Sequence, residues 1–74
     1  MSDYTRHLGV GLRRARHQSG LSLMAVQKVS EGSFKASVVG AYERGERAIT
    51  VEKLHRLCKI YRVHVVSVLP SIDH

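Results

Sequence analysis

The chain's only proline is Pro70, and its glycines fall mostly where a helix would stop. Proline lacks an amide hydrogen and clashes with the preceding turn, so its absence lets helices run, while glycine supplies the backbone that ends them. The pattern predicts several short helices. With 74 residues, 43% of them apolar and 24% charged, the chain can close one compact core. No linker, repeat or low-complexity stretch divides it, so one domain over 1–74 is expected, with a short polar tail at 71–74.

The first helix is expected to start after Ser2 or Asp3, either of which can cap exposed amides. Tyr4, Leu8, Leu12 and Ala15 recur at helical spacing, with Arg6, Arg13 and Arg14 on the polar side. Gly20 stands just beyond its end. Ser22 caps a second helix at about 23–29 with Val26 inward, and 30–33 reads as a turn. Val38, Val39 and Tyr42 signal a third helix at about 35–44, ended by Gly45. The two β-branched valines would also suit a strand, but nothing nearby offers a pairing strand. Thr50 caps a fourth helix with the stripe Val51, Leu54, Leu57, Cys58 and Tyr61. The apolar piece 65–69 is expected to make a last turn or two of helix before Pro70. The fold class is all-α, with five short helices.

Twelve Lys and Arg against six acidic residues give a net charge of +6. So large an excess on a small surface favours a polyanionic partner, either nucleic acid or an anionic membrane surface. The single cysteine, Cys58, excludes an internal disulfide framework and a cysteine-cluster zinc site, and fits a reducing compartment. No apolar run approaches the roughly 18 residues of a spanning helix, and residues 1–5 are too polar to begin a signal peptide. A cytoplasmic protein is expected. His55 and Cys58, three apart on one helix, are at most half a metal site, and His7, His17, His64 and His74 add no supporting spacing. Neither a catalytic constellation nor a phosphate-cradling glycine loop is present. The chain reads as no enzyme, with no cofactor and no metal.

Leu8, Gly9, Leu12, Arg13 and Arg16, the run Gly20, Leu21, Ser22, the stretch Tyr42, Glu43, Arg44, Gly45, Glu46, Arg47, and then Leu54, Leu57 and Cys58 form a specific set. The set resembles the helix-turn-helix family of phage repressors and xenobiotic-response-element regulators, over about residues 8–69. A narrower resemblance is to the DNA-binding domain of BldD-type developmental regulators of actinobacteria, carried by residues 20–23 and by the run 35–51. That family pairs the domain with a separate cyclic-dinucleotide-binding domain. The 74 residues hold no counterpart of it, so nucleotide sensing is not carried over. The resemblance implies a compact, lambda-repressor-like fold with the motif at about 22–45. Two departures stand out. Gln27 occupies a position where the wider family has a small alanine, and the turn glycine is displaced to Gly32 in a turn about two residues longer.

The resemblance also implies roles. The third helix would lie in the major groove, with Lys35, Ala36, Ser37, Gly40, Ala41 and Arg44 as its outward face. Lys35 can donate to guanine or hold a phosphate; Ser37 can bond a base or a backbone oxygen; the two alanines offer only apolar contact. So small a face points to shape readout as part of the specificity. Arg44 and Arg47 can grip phosphates, enter the minor groove, or form a solvated charge pair with Glu46. Ser22 can cap a helix whose amides meet a phosphate, and Arg13 can reach the backbone from the first helix. Arg16 and Glu43 would form an ion pair beneath this surface, as structural residues. Cys58 would take an interior position usually held by alanine, as an inert thiol.

The reading is a sequence-specific regulator of transcription that binds double-stranded DNA, acting as a repressor. It would be monomeric when free and would pair on a palindromic operator, with no membrane partner. The alternative is a protein-interaction module of the same fold that binds a sigma factor, antirepressor or toxin. Salt separates the two, because DNA affinity falls steeply with salt and a protein partner's off-rate responds little.

Overall fold

The structure, a computed structural model, describes residues 2–72. Four α-helices run in order along the chain: α1 (Asp3–Gln18), α2 (Leu23–Val29), α3 (Ala36–Glu43) and α4 (Val51–Tyr61). Three of them start where a hydroxyl can accept an orphan amide. Ser2 accepts from Thr5 N at 3.2 Å, Ser22 from Ala25 N at 3.0 Å and Thr50 from Lys53 N at 3.2 Å. Val38 and Val39 lie inside α3, with Val39 fully buried, so packing overrides their β-branched preference. The described residues contain no strand.

The expected fifth helix is replaced by a single 3-10 turn, Val65–Ser67. Val65, Val66 and Val68 lose χ1 freedom in a helix, and Pro70 pushes the residue before it towards extended backbone. Only Val68 of this segment is buried, so packing offers little to offset that cost. In the tail, Ser71 and Ile72 are exposed, while Asp73 and His74 lie outside the described residues.

One core joins all the elements: Leu12 and Ala15 from α1, Val26 from α2, Phe34 from the turn, Val39 and Tyr42 from α3, Leu54, Leu57, Cys58 and Tyr61 from α4, and Val68. Two glycines set how closely α1 meets the end of α3. A Cβ on Gly9 would stand 2.5 Å from the Tyr42 carbonyl oxygen and 2.6 Å from that of Glu43. Gly45 stops α3 at a φ of 72°, and a Cβ there would come within 2.8 Å of Arg6 Cα. The C-terminal segment is fastened to α1 by Arg14, which donates to the Ser67 carbonyl at 3.2 Å. Arg56 lies over the Phe34 ring, 5.6 Å from its centroid, and so covers the core residue contributed by the turn between α2 and α3.

Candidate nucleic-acid interface

Helix α3 buries Val39, Gly40, Tyr42 and Glu43, which leaves Ser37 and Arg44 exposed and Ala36 and Ala41 half-exposed on its other side. Residues three, four and seven apart share a helical face, so Ser37, Ala41 and the C-cap residue Arg44 form one strip, with Ala36 beside its N-terminal end. Lys35, exposed, sits immediately before the helix rather than in its first turn. Gly40 departs from expectation, because it is buried and not outward. Arg44 folds back over it, with Nη1 3.0 Å from where a Cβ would stand, and Leu23 Cδ1 lies 3.6 Å away. Gly40 is therefore a floor beneath Arg44 and a close-packing point for α2.

The strip carries no carboxylate, for a reason lying beneath it. Arg16 donates from Nε to Glu43 Oε2 at 2.6 Å and from Nη2 to Oε1 at 3.0 Å, a two-point fork with both residues buried. Its remaining Nη1 donates to the Leu21 carbonyl at 2.9 Å, fixing the chain between α1 and α2. The hydrogen bond from Arg16 to Glu43 raises the guanidinium pKa further above its ordinary value, against a smaller opposing effect of burial. Glu43 is thus held inside, neutralised and turned away from any anion that meets α3. Beside the pair, Tyr61 is buried with no hydrogen-bond partner for its hydroxyl. Burial, then the Glu43 charge, push its pKa well above the usual phenol range.

The other candidate residues surround the strip. Ser22 is exposed at the start of α2, with its hydroxyl accepting from Ala25 N. Arg44 Nε donates to Glu46 Oε1 at 3.0 Å, a solvent-facing pair with both side chains more than half exposed. Arg47 is exposed in the segment after α3, and no side-chain ion pair holds it among the described residues. Arg13 lies on a different helix, α1, where its Nε approaches His17 Nε2 at 3.5 Å. Arg14 is occupied by Ser67.

His55 is exposed and Cys58 buried, so the two share no accessible face, and among the described residues no three His, Cys, Asp or Glu side chains converge. Burial raises the Cys58 thiol pKa, which keeps it protonated and unreactive. Among the described residues no helix is long and apolar enough to cross a membrane.

Gln27 is the residue that sequence reasoning singled out only as a departure. Its Oε1 accepts from Ala36 N at 2.9 Å, at the first amide of α3. The signal was available: a polar residue stands where a small one is usual, ahead of a helix whose preceding residue, Lys35, cannot cap it.

Residues 7–68 match the helix-turn-helix domain family, and the chain belongs to it. The crystal structure of the DNA-binding domain of BldD superposes with a TM-score of 0.89 at 50% identity, covering 95% of this chain and 99% of that one. The BldD DNA-binding domain of S. venezulae gives 0.88 at 51% identity, covering 93% and 100%. No curated protein matches the chain in sequence.

Proposed function

We propose that this domain binds double-stranded DNA sequence-specifically and regulates transcription as a repressor, with α3 in the major groove. The observation that carries the reading is the strip of Ser37, Ala41 and Arg44 with Ala36 beside it, small and polar and kept free of carboxylate by the Arg16–Glu43 fork. Its narrow side chains allow close approach to base edges, while few of them can make two-point contacts. Sequence-dependent shape then carries part of the specificity. Lys35, Arg44, Arg47 and Arg13 hold the phosphate backbone, and Ser22 meets it from the start of α2. Gly40 serves as the platform for Arg44. The whole chain acts as a single domain in the cytoplasm, and its likeness to the BldD DNA-binding domains supports the DNA partner.

One module of this kind covers roughly 600–1,000 Å² on a duplex and binds only modestly alone. Two copies, monomeric when free, therefore pair on a palindromic operator with half-sites about 10 base pairs apart. Selection of bound sites from a random duplex library tests specificity and symmetry together, and a palindromic consensus is expected. Recovery of unrelated sequences, or an affinity indifferent to salt, would instead favour a protein partner.

A further inference from the structure

Helix α3 begins without a cap of its own. Lys35 makes no side-chain hydrogen bond to it, whereas α1, α2 and α4 each start on a serine or threonine that accepts a first-turn amide. The missing acceptor comes from α2, where Gln27 Oε1 takes the Ala36 N–H. The amide's orientation is settled chemically, since only its oxygen can accept. Gln27 holds the intervening turn as well. Its backbone carbonyl accepts from Gly32 N at 2.9 Å and from Ser30 Oγ at 3.1 Å, and Ser30 Oγ accepts in turn from Phe34 N at 3.0 Å.

That turn is closed on α2 by backbone bonds, Glu31 N to the Lys28 carbonyl at 3.1 Å and Ser33 N to the Ser30 carbonyl at 3.0 Å among them, but none of its backbone bonds reaches α3. Glu31 and Gly32 are consecutive residues at positive φ, 53° and 83°. Buried Phe34 pins the turn to the core, but an apolar contact limits rotation and sliding only loosely. The bond from Gln27 is the one side-chain hydrogen bond that reaches the first turn of α3 among the described residues. The core does not depend on Gln27, which is only half-buried and absent from the buried cluster.

We infer that Gln27 is a positioning residue for sequence readout: it fixes how far, and at what rotation, the start of α3 projects from α2. Ala36 and Ser37 therefore arrive at base edges in one register. The inference rests on the proposal that the domain binds DNA. Recognition requires its contact residues to be held to within about 0.5 Å, and a capping bond from the neighbouring helix is a means of doing so where no backbone bond of the turn reaches α3. Loss of the bond leaves phosphate contacts intact and blurs base contacts. Glutamate keeps an acceptor oxygen at the same reach, so it restores position while its charge weakens all DNA binding alike.

The test compares wild type with Gln27→Ala and Gln27→Glu. Affinity is measured for a duplex selected by the wild-type domain and for a shuffled duplex of equal length, and amide hydrogen exchange at Ala36 is followed in the free protein. Gln27→Ala is expected to lower the selected-over-shuffled ratio by about tenfold, the scale of one base contact, with shuffled binding nearly unchanged and Ala36 exchange faster. Gln27→Glu should return both the ratio and the Ala36 protection towards wild type. An unchanged ratio in Gln27→Ala overturns the inference. So does a lost ratio that Gln27→Glu fails to restore although Ala36 is protected again, because Gln27 would then touch the DNA itself. A wild-type chain that selects no site overturns the DNA reading and this role with it, and the Ala36 comparison still decides whether Gln27 caps the helix.

Discussion

Arg16 and Glu43, separated by 27 residues of chain, meet in a two-point fork whose N–H···O distances are 2.6 and 3.0 Å. The fork joins α1 to the last residue of α3, and the third arginine bond, to Leu21, fastens the entry to α2. Removing the arginine strands a buried carboxylate directly under the exposed strip of α3. Arg16→Ala should cost about 3–5 kcal/mol. For a domain this size that lowers the melting temperature by more than about 10 °C. Thermal unfolding decides it. A shift of a couple of degrees accompanied by collapse of DNA binding would make Arg16 a contact residue instead.

Among the described residues, Tyr61 carries a buried side-chain hydroxyl with no hydrogen-bond partner. Tyr61→Phe removes that hydroxyl at no cost in volume and is expected to stabilise the domain by about 1 kcal/mol at neutral pH. The folded-state pKa is raised above the unfolded value of about 10. The folded chain therefore keeps a proton that the unfolded chain loses. The stability linked to it is complete below about pH 10 and drains away as pH rises towards the folded pKa. Urea unfolding at neutral and strongly alkaline pH should show a shallower alkaline decline in Tyr61→Phe than in wild type.

Gly9 faces two backbone carbonyls with no room for a methyl group. Because those oxygens belong to the end of α3, a side chain there must move one helix off the other. Gly9→Ala should destabilise by about 3 kcal/mol, at the upper end of overpacking costs. Denaturant titration measures it. An effect under about 0.5 kcal/mol would mean that α1 and α3 are not held this closely.

Arg44 is paired with Glu46, and a phosphate held by Arg44, as proposed, would compete with that carboxylate. Arg44→Ala and Arg47→Ala should each reduce the slope of log K against log salt by about one unit and weaken selected and shuffled duplexes alike. Glu46→Gln should act in the opposite sense, raising DNA affinity at low salt by several-fold, with the gain shrinking as salt screens the removed charge. Unchanged slopes in both arginine variants would leave them as solvated charges.

The residues differ in how much of this the sequence displays. Ser22 and Thr50 announce their helices because a hydroxyl before an apolar stripe has one obvious use, and α2 and α4 begin immediately after them. The segment after Tyr61 misleads because its valines satisfy an apolar pattern without the propensity to sustain a helix. Gly40 misleads differently. The family resemblance puts it on the outward face, and only the folded packing lays Arg44 across it. Gln27 acts nine residues along the chain, across a turn of irregular backbone, and no local period encodes that reach.

The depth of Cys58 turns the chain into its own reporter. It is the only thiol in the sequence and is 1% exposed, on the core side of α4. A thiol-directed reagent must wait for the domain to open, so under native conditions the labelling rate is the intrinsic rate multiplied by the opening equilibrium. At a stability of about 5 kcal/mol that is a slowing of between three and four orders of magnitude. A bound duplex lowers the open population further by mass action. The kinetics of one chemical modification therefore read occupancy on the unaltered protein, without a dye, a tag or an added cysteine.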